Sequence, residues 1–379
     1  MSLPKTYLQM YSTVSADAWL TLKLVEKDMP EPKSDQVVIR VEAAPVNPSD
    51  HGVMFGVTDM SRAKSSGSGK DRILTAPVSP QGMAFMKARV GQDLPVGNEG
   101  AGNVVAAGDA DMAQAMLGKT VAGFGGKMYG QYAIIPAMSC LALKPGHSAR
   151  DGASSFVNPM TALGFVETMK MEGHAALVHT AAASNLGQML NRVCLADGID
   201  IVNIVRKREQ VHILKDLGAK YIVNSSDEGF MDDLTDAIHE TGATLGYDAV
   251  GGGSLASDIL TAMESAAART PSDYSIYGST HHKHVYVYGA LDFSPTVLAR
   301  RYGMAWGVGG WLLPNFLARA GMETGMRMRG RVADELTSTF ASSYTDEISL
   351  ADALDTKIVQ RYNARKTGEK FLICPQMEL

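Results

Sequence analysis

Hydrophobic spacing divides the chain into two patterns. Up to about residue 150, short alternating apolar runs are broken by Gly and Pro, which is the pattern of strands and turns. In Gln36–Ala43, Val37, Ile39 and Val41 alternate with Val38, Arg40 and Glu42, and the alternation predicts a strand. Asn103–Ala107 and Gln131–Pro136 predict two more. From about residue 155, strand-length apolar runs alternate with helix-length amphipathic segments. Strands are predicted at Ala175–Thr180, Ile201–Val205, Tyr221–Val223, Gly246–Val250 and Val285–Tyr288. Between them, Leu186–Ala196 places Leu186, Met189, Leu190, Val193 and Cys194 on one helical face. Glu209–Leu217 has Val211, Leu214 and Leu217 at helical spacing before Gly218, and Asp232–His239 and Leu255–Ala268 predict further helices. Strands separated by helices predict an α/β fold with a doubly wound parallel sheet. Near the end, Ser349–Val359 predicts a helix, and Lys370–Cys374 a strand placed to return to the first domain.

Two polar stretches interrupt the pattern. Asp59–Asp93 contains Ser65-Ser66-Gly67-Ser68-Gly69 among Arg62, Lys64, Lys70 and Arg72, and it predicts a mobile surface excursion. The basic cluster suits a solvated loop, with phosphates of a CoA thioester or of a nucleic acid as other readings. Ala266–Lys283, with Pro271 and Gly278, predicts a connection from helix to strand.

Composition narrows the function class. A chain of 379 residues predicts two domains. With 45% hydrophobic and 20% charged residues it is ordinary for a globular protein. A net charge of -5 gives no bulk basic excess for nucleic acid or anionic membrane. The apolar run around Tyr132–Leu143 contains Pro136 and falls short of the roughly 20 residues a bilayer needs. The start, with Lys5 its single basic residue and no apolar core, does not read as a signal peptide, so a cytoplasmic protein is expected. Cys140, Cys194 and Cys374 lie too far apart for a zinc ribbon, and Cys194 is expected to be buried.

The first strand–turn–helix carries Thr180-Ala181-Ala182-Ala183-Ser184-Asn185-Leu186-Gly187. Small residues sit where a pyrophosphate would approach backbone N–H groups at a helix start. Ser184, Asn185, Leu186 and Gly187 are therefore candidate cofactor contacts. Only Gly187 stands in a glycine position of the full G-x-G-x-x-G, so the turn alone also fits any Ala/Ser-rich helix entry. The second strand ends in Arg206-Lys207-Arg208, where an acid would hold a ribose 2′-hydroxyl. Three cations there suit a 2′-phosphate instead, which predicts NADPH; a solvated basic start of the next helix is the other reading, although cations are disfavoured at a helix N-terminus.

Motif order then points to a family. Val46-Asn47-Pro48-Ser49-Asp50, Pro95-Val96-Gly97-Asn98-Glu99-Gly100-Ala101-Gly102, Asn158-Pro159-Met160-Thr161-Ala162, Ala182–Gly187, Leu217-Gly218-Ala219 and Asp248-Ala249-Val250-Gly251 follow one another. In this the chain resembles the medium-chain dehydrogenase/reductases, in particular the quinone oxidoreductases and mitochondrial-type 2-enoyl thioester reductases. The resemblance implies a GroES-like β-barrel catalytic domain over 1–154, completed by 345–379, and a Rossmann NADPH-binding domain over 155–344. The substrate would sit in the cleft between them. It implies a homodimer through edge strands around Val285–Leu313, where Trp306 and Trp311 fit core packing equally well. It also implies cofactor contacts at Asn47, Thr161, Ser225, Val250, Tyr288, Gly289 and Ala290. Asn47 would be an amide donor near nicotinamide or substrate, or a turn residue before Pro48. Thr161 would meet the nicotinamide or its ribose, or cap a helix. Zinc-dependent relatives have Cys and His at the positions of Asn47 and Asn98, so no metal is expected. Enoyl thioester reductases carry a tyrosine within Gly-x-Tyr, whereas this chain has Gly56-Val57-Thr58, and Thr58 is a much poorer acid. The expected activity is NADPH-dependent hydride transfer to a small-molecule electron acceptor, a quinone or an α,β-unsaturated carbonyl. A 2-enoyl thioester reductase is the alternative. An NADPH-binding sensor or structural protein with weak catalysis is the alternative from another class.

Overall fold

The computed structural model describes residues 3–270 and 275–379; Pro271 lies outside them. The chain divides into two compact units, one of residues 1–157 with 331–379 and one of 158–330.

Among the described residues the first unit contains a five-stranded and a seven-stranded sheet. The strands Thr6–Val14 and Trp19–Asp28 pair antiparallel along their whole length and lead the five-stranded sheet. The predicted strand is Gln36–Pro45, bonded to Glu99–Ala107, to Tyr132–Pro136 and to Phe371–Ile373. Val37, Val38, Ile39 and Val41 are all fully buried, while Arg40 and Glu42 stay partly exposed, so of the alternating set Val38 is covered and the other two reach solvent. One core joins residues of both sheets, from Met10 and Leu22 to Ile39, Val121 and Ile135. The last strand does return to this unit, as Leu372 and Ile373 register with Pro45 and Ala44.

Two expectations are corrected here. Asp59–Asp93 is no excursion: Lys64–Ser66 and Ile73–Pro77 extend the five-stranded sheet, and Pro80–Phe85 is a helix capped by Ser79. Its apolar residues Met60, Ala63, Leu74, Ala76, Val78 and Met86 are buried in the core. Arg72 of the basic cluster donates to the carbonyl of Ala351 and lies 3.5 Å from Asp352, so it faces protein rather than a ligand phosphate. The predicted helix Ser349–Val359 is instead a short turn, Asp352–Leu354, followed by a helix, Thr356–Asn363. Asp355 separates them in extended backbone because its carboxylate caps the second helix at Lys357.

Among its described residues the second unit holds a six-stranded parallel sheet. Its strand order is Tyr221–Asn224, Ile201–Val205, Leu177–Thr180, Leu245–Asp248, Lys283–Val287, Trp306–Gly310. In order of sequence that is 3-2-1-4-5-6, the doubly wound arrangement. Phe230–Thr241 and Leu255–Ala267 cover one face through Leu234, Ile238, Ile259 and Met263. On the other, Asn191 of helix Asn185–Asp197 exchanges hydrogen bonds of 2.7 and 2.9 Å with Asn203, a buried amide pair that holds helix to strand. Leu186, Met189, Leu190, Val193 and Cys194 of that helix are buried, and Gly198 ends it at φ 67°. Trp311 packs between Phe165 and Phe316, so it is a core residue, and its indole N–H donates to Thr168.

Candidate functional site

Ligands of open α/β sheets bind beyond the carboxyl ends of the strands. The six strands of the second unit place most of the expected residues at that edge. Leu177–Thr180 ends in a turn in which Ala181 takes φ 50°, while Ala182 and Ala183 are buried. Ser184 caps the following helix, its hydroxyl accepting from Gly187 N at 3.1 Å. A Cβ on Gly187 would lie 2.1 Å from the Ala182 carbonyl oxygen, so a glycine is needed for the turn to close against the helix. The result is a tight bend of small residues at the positive end of a helix dipole.

The neighbouring strand, Ile201–Val205, delivers Arg206, Lys207 and Arg208 to the same edge, all three exposed. Gln210 accepts from the N–H groups of Arg206 and Lys207 at 3.0 and 3.1 Å, which turns the chain into its next helix. None of the three side chains enters an ion pair with another described residue. Ser225 follows the third strand, its N–H bonded to Val205 O at 2.8 Å. Val250 and the run Tyr288-Gly289-Ala290 follow the fourth and fifth strands.

Asp248 ties this edge together. Its buried carboxylate accepts from Thr180 Oγ1 at 2.9 Å, Val250 N at 2.9 Å and Gly251 N at 3.0 Å. The Thr180 hydroxyl in turn accepts from Ala249 N at 2.8 Å. A Cβ on Gly289 would come within 2.5 Å of Ala249 O, so the two strand ends run in close contact. Below them His179 is fully buried, its Nε2 2.8 Å from the Tyr288 hydroxyl. Burial drives His179 down to about 3 and the Tyr288 phenol upward. Thr161 lies inside the helix Val157–Met171, past its first turn, so the reading as a cap is corrected.

Asn47 belongs to the first unit and is 1% exposed. Its amide nitrogen donates to Glu99 Oε1 at 2.8 Å, its own N–H donates to Asp50 Oδ2 at 2.8 Å, and its Oδ1 is buried without a hydrogen-bond partner. Glu99 is 1% exposed, and its second oxygen accepts from Phe156 N at 2.7 Å and Val157 N at 3.0 Å. Asp50 also accepts from Asn98 N at 2.8 Å, yet burial pushes it up to about 7. Burial raises Glu99 against the pull of Lys370, and brings Lys370 down to about 8 against the pull of Glu99 and Asp50. The ammonium donates to Ser154 at 2.8 Å, and the Ser154 hydroxyl lies 2.8 Å from that of Tyr344. His51 has a separate partner: its Nδ1 accepts from Arg365 at 3.3 Å, and burial with that guanidinium holds it near 3. Thr58 Oγ1 is also buried without a hydrogen-bond partner.

Asp50 and Asp248 stood inside the quoted motifs without an assigned role, and Lys370, Ser154, Tyr344 and His179 carried no site signal. The composition of the motifs marks the acids; their function as anchors of backbone N–H groups requires the fold. Among the described residues no group of three His, Cys, Asp or Glu side chains is placed to hold a metal ion, and no helix is long and apolar enough to cross a membrane.

Comparison with known proteins agrees with this architecture. No family model matches the chain. The mitochondrial enoyl-[acyl-carrier-protein] reductase of Rattus norvegicus is 26% identical over 169 residues, 41% of this chain and 44% of the relative. That of Mus musculus is 26% identical over 168 residues, so the chain spans less than half the length of these curated relatives. A candidate NADPH:quinone reductase from Mesorhizobium loti superposes with TM-score 0.73 at 25% identity, covering 99% of this chain and 100% of that one. One from Bacillus thuringiensis gives TM-score 0.73 at 16% identity over 98% and 99% of the chains. A mycobacterial protein complexed with NADPH gives 0.68 at 18% over 97% and 100%. In its fold the chain is similar to these proteins: its structural neighbours include quinone reductases and enoyl reductases, in line with the resemblance to the medium-chain dehydrogenase/reductases carried by the order of motifs.

Proposed function

We propose that this protein is an NADPH-dependent, zinc-independent reductase that delivers hydride to a quinone or an α,β-unsaturated carbonyl. The observation that carries the reading is the pairing of two features at one sheet edge. The bend Ala181–Gly187, closed tightly enough to exclude a Cβ, suits a pyrophosphate, and Arg206, Lys207 and Arg208 beside it suit a 2′-phosphate. NADPH supplies the hydride when bound, and the protein supplies orientation and polar contacts. Ser184, Asn185, Leu186 and Gly187 take the pyrophosphate. Ser225, Val250, Tyr288, Gly289 and Ala290 line the same strand ends, with Asp248 holding two of the loops in place. Thr161 and Asn47 are assigned to the nicotinamide half. Thr58, with an unsatisfied hydroxyl, is assigned as a weak donor toward the acceptor. Proton delivery is undemanding for a quinone, because a reduced quinone takes its protons from water. The names of the solved neighbours support this acceptor class.

The second reading, a 2-enoyl thioester reductase, is favoured by the curated relatives. Against it stands Thr58 in place of a phenol of adequate acidity and reach. Pairing of the edge strand Trp306–Gly310 with a second copy would give a homodimer, to be read by sedimentation.

The direct test is Arg206→Ala. Losing one charge-assisted contact to the 2′-phosphate raises the dissociation constant for NADPH by roughly tenfold to a hundredfold and leaves that for NADH nearly unchanged. Equal changes for both dinucleotides refute the cofactor assignment. Acceptor-dependent NADPH oxidation with quinones, enones and enoyl-CoA then separates the two substrate classes, and binding without turnover on any of them identifies a sensor.

A further inference from the structure

We infer that Glu99 is a positioning residue that turns the Asn47 amide so that its carbonyl oxygen, not its N–H, is presented to the bound ligand, whose facing group is a hydrogen-bond donor. The sequence alone suggested the opposite polarity, an amide donor.

The inference rests on Asn47 being a ligand contact, as proposed above, and its geometry is local. Glu99 Oε2 receives the N–H groups of Phe156 and Val157 at 2.7 and 3.0 Å. Backbone donors cannot invert, so an acceptor oxygen is required at that position. The other oxygen, Oε1, accepts from the Asn47 amide nitrogen at 2.8 Å, the carboxylate being held beside the Lys370 ammonium. The Asn47 backbone is pinned as well, by its N–H to Asp50. Oδ1 is thereby left buried on a residue that is 1% exposed, with no hydrogen-bond partner. A buried acceptor without a donor is costly and calls for an explanation. A ligand amide NH2 or hydroxyl supplies the missing donor. Both occur on a nicotinamide riboside and hydroxyls occur on some acceptors, so the shared chemistry is an N–H or O–H donor.

The arrangement gives a substitution that changes polarity without changing shape. In Glu99→Gln the side-chain oxygen must stay on Phe156 and Val157, so its NH2 faces position 47. Asn47 then rotates to accept from it and presents N–H outward. In the double variant Asn47→Asp/Glu99→Gln, the carboxylate introduced at position 47 accepts from the new amide and again presents an oxygen. The double variant also keeps the total charge beside Lys370.

Dissociation constants for NADPH and for 2′,5′-ADP, which lacks the nicotinamide half, are measured by calorimetry, together with the KM for 2-(hydroxymethyl)-1,4-benzoquinone, a quinone that carries a hydroxyl donor. Thermal unfolding checks that each variant is folded. If the donor is on the cofactor, E99Q weakens NADPH about tenfold. If it is on the acceptor, NADPH is unchanged and KM rises about tenfold. In both cases 2′,5′-ADP binds as before and the double variant recovers to within about threefold. Unchanged constants in E99Q, or a folded double variant no better than the single one, overturn the inference. Absence of saturable binding of both NADPH and 2′,5′-ADP to the unaltered protein refutes the function itself, and the inference falls with it.

Discussion

Gly187→Ala tests whether the bend at the helix start is as tight as the cofactor assignment requires. Two effects oppose each other. Gly187 lies within the helix Asn185–Asp197, where alanine is favoured over glycine by about 1 kcal/mol. Against this, the added Cβ would lie 2.1 Å from the Ala182 oxygen, 2.5 Å from its carbonyl carbon and 2.8 Å from its Cα. All three are backbone atoms of a fully buried residue, so relief requires the turn to separate from the helix by about 1 Å relative to ordinary contact near 3.3 Å. Overpacking of this kind costs about 1–3 kcal/mol. With the clash from three backbone atoms at the upper end of that range, a net loss of up to about 2 kcal/mol is expected, which lowers the melting temperature by a few degrees for a unit of this size. NADPH binding falls at least tenfold, because the displaced backbone is the part that would meet the pyrophosphate. Gly330→Ala is the matched control. That glycine is exposed in the helix Leu313–Asp334 and a Cβ there meets nothing within 4 Å, so stability rises by up to about 1 kcal/mol. Scanning fluorimetry and NADPH titration of both variants decide the matter. A Gly187→Ala protein that melts no lower than the parent and binds NADPH normally refutes the reasoning.

Three further outcomes follow from the buried polar groups. Asp248→Asn turns an NH2 toward donors that the carboxylate now accepts, and costs about 1–3 kcal/mol in denaturant unfolding with native secondary structure retained. His179 titrates near 3 when folded and near 6.5 when unfolded, so the unfolded chain binds the extra proton between these values. Its contribution to stability is present above about pH 6.5 and is lost as pH falls toward 3. His179→Phe therefore flattens the acid limb of stability against pH, while costing about 1–3 kcal/mol at neutral pH through the unpaired Tyr288 hydroxyl. Lys370 is held at about 8, below its unfolded value near 10.4, so stability rises with pH between about 8 and 10, and Lys370→Met removes that rise. An unchanged slope in either variant sinks the corresponding assignment.

The parallel sheet was legible because its strands are buried on both faces. Ile201–Val205 is a continuous apolar run apart from Asn203, and its ends agree with the pattern to the residue. The flanking helices declared themselves through faces such as Leu186, Met189, Leu190 and Val193. The antiparallel unit was harder to read. Trp19–Asp28 carries Lys23, Glu26 and Lys27 and was not picked out, because its stability comes from full-length pairing with Thr6–Val14 rather than from its own composition. The Gly/Ser-rich stretch read as mobile is ordered by pairing that brings Lys23 to Ile73, some fifty residues along the chain. Non-local pairing of this kind leaves no local periodicity.

The candidate site divides along a different line. Cations beside a small-residue bend are recognisable because a phosphate selects side chains by charge and excludes them by size. The acids that hold the site select neither. Glu99 accepts from the backbone of Phe156 and Val157, Asp50 from that of Asn47 and Asn98, and Asp248 from that of Val250 and Gly251. A backbone N–H has the same chemistry whichever residue bears it, so its partner leaves no complementary residue type to search for. Glu99 and Lys370 become neighbours only because Phe371–Ile373 returns to Gln36–Pro45. Where a buried carboxylate anchors backbone, the motif therefore records the acid and the fold supplies the reason. The orientation of Asn47 is the case in point: its amide nitrogen is turned to an acid whose other oxygen is fixed by two N–H groups more than a hundred residues away, and the asparagine alone does not record that.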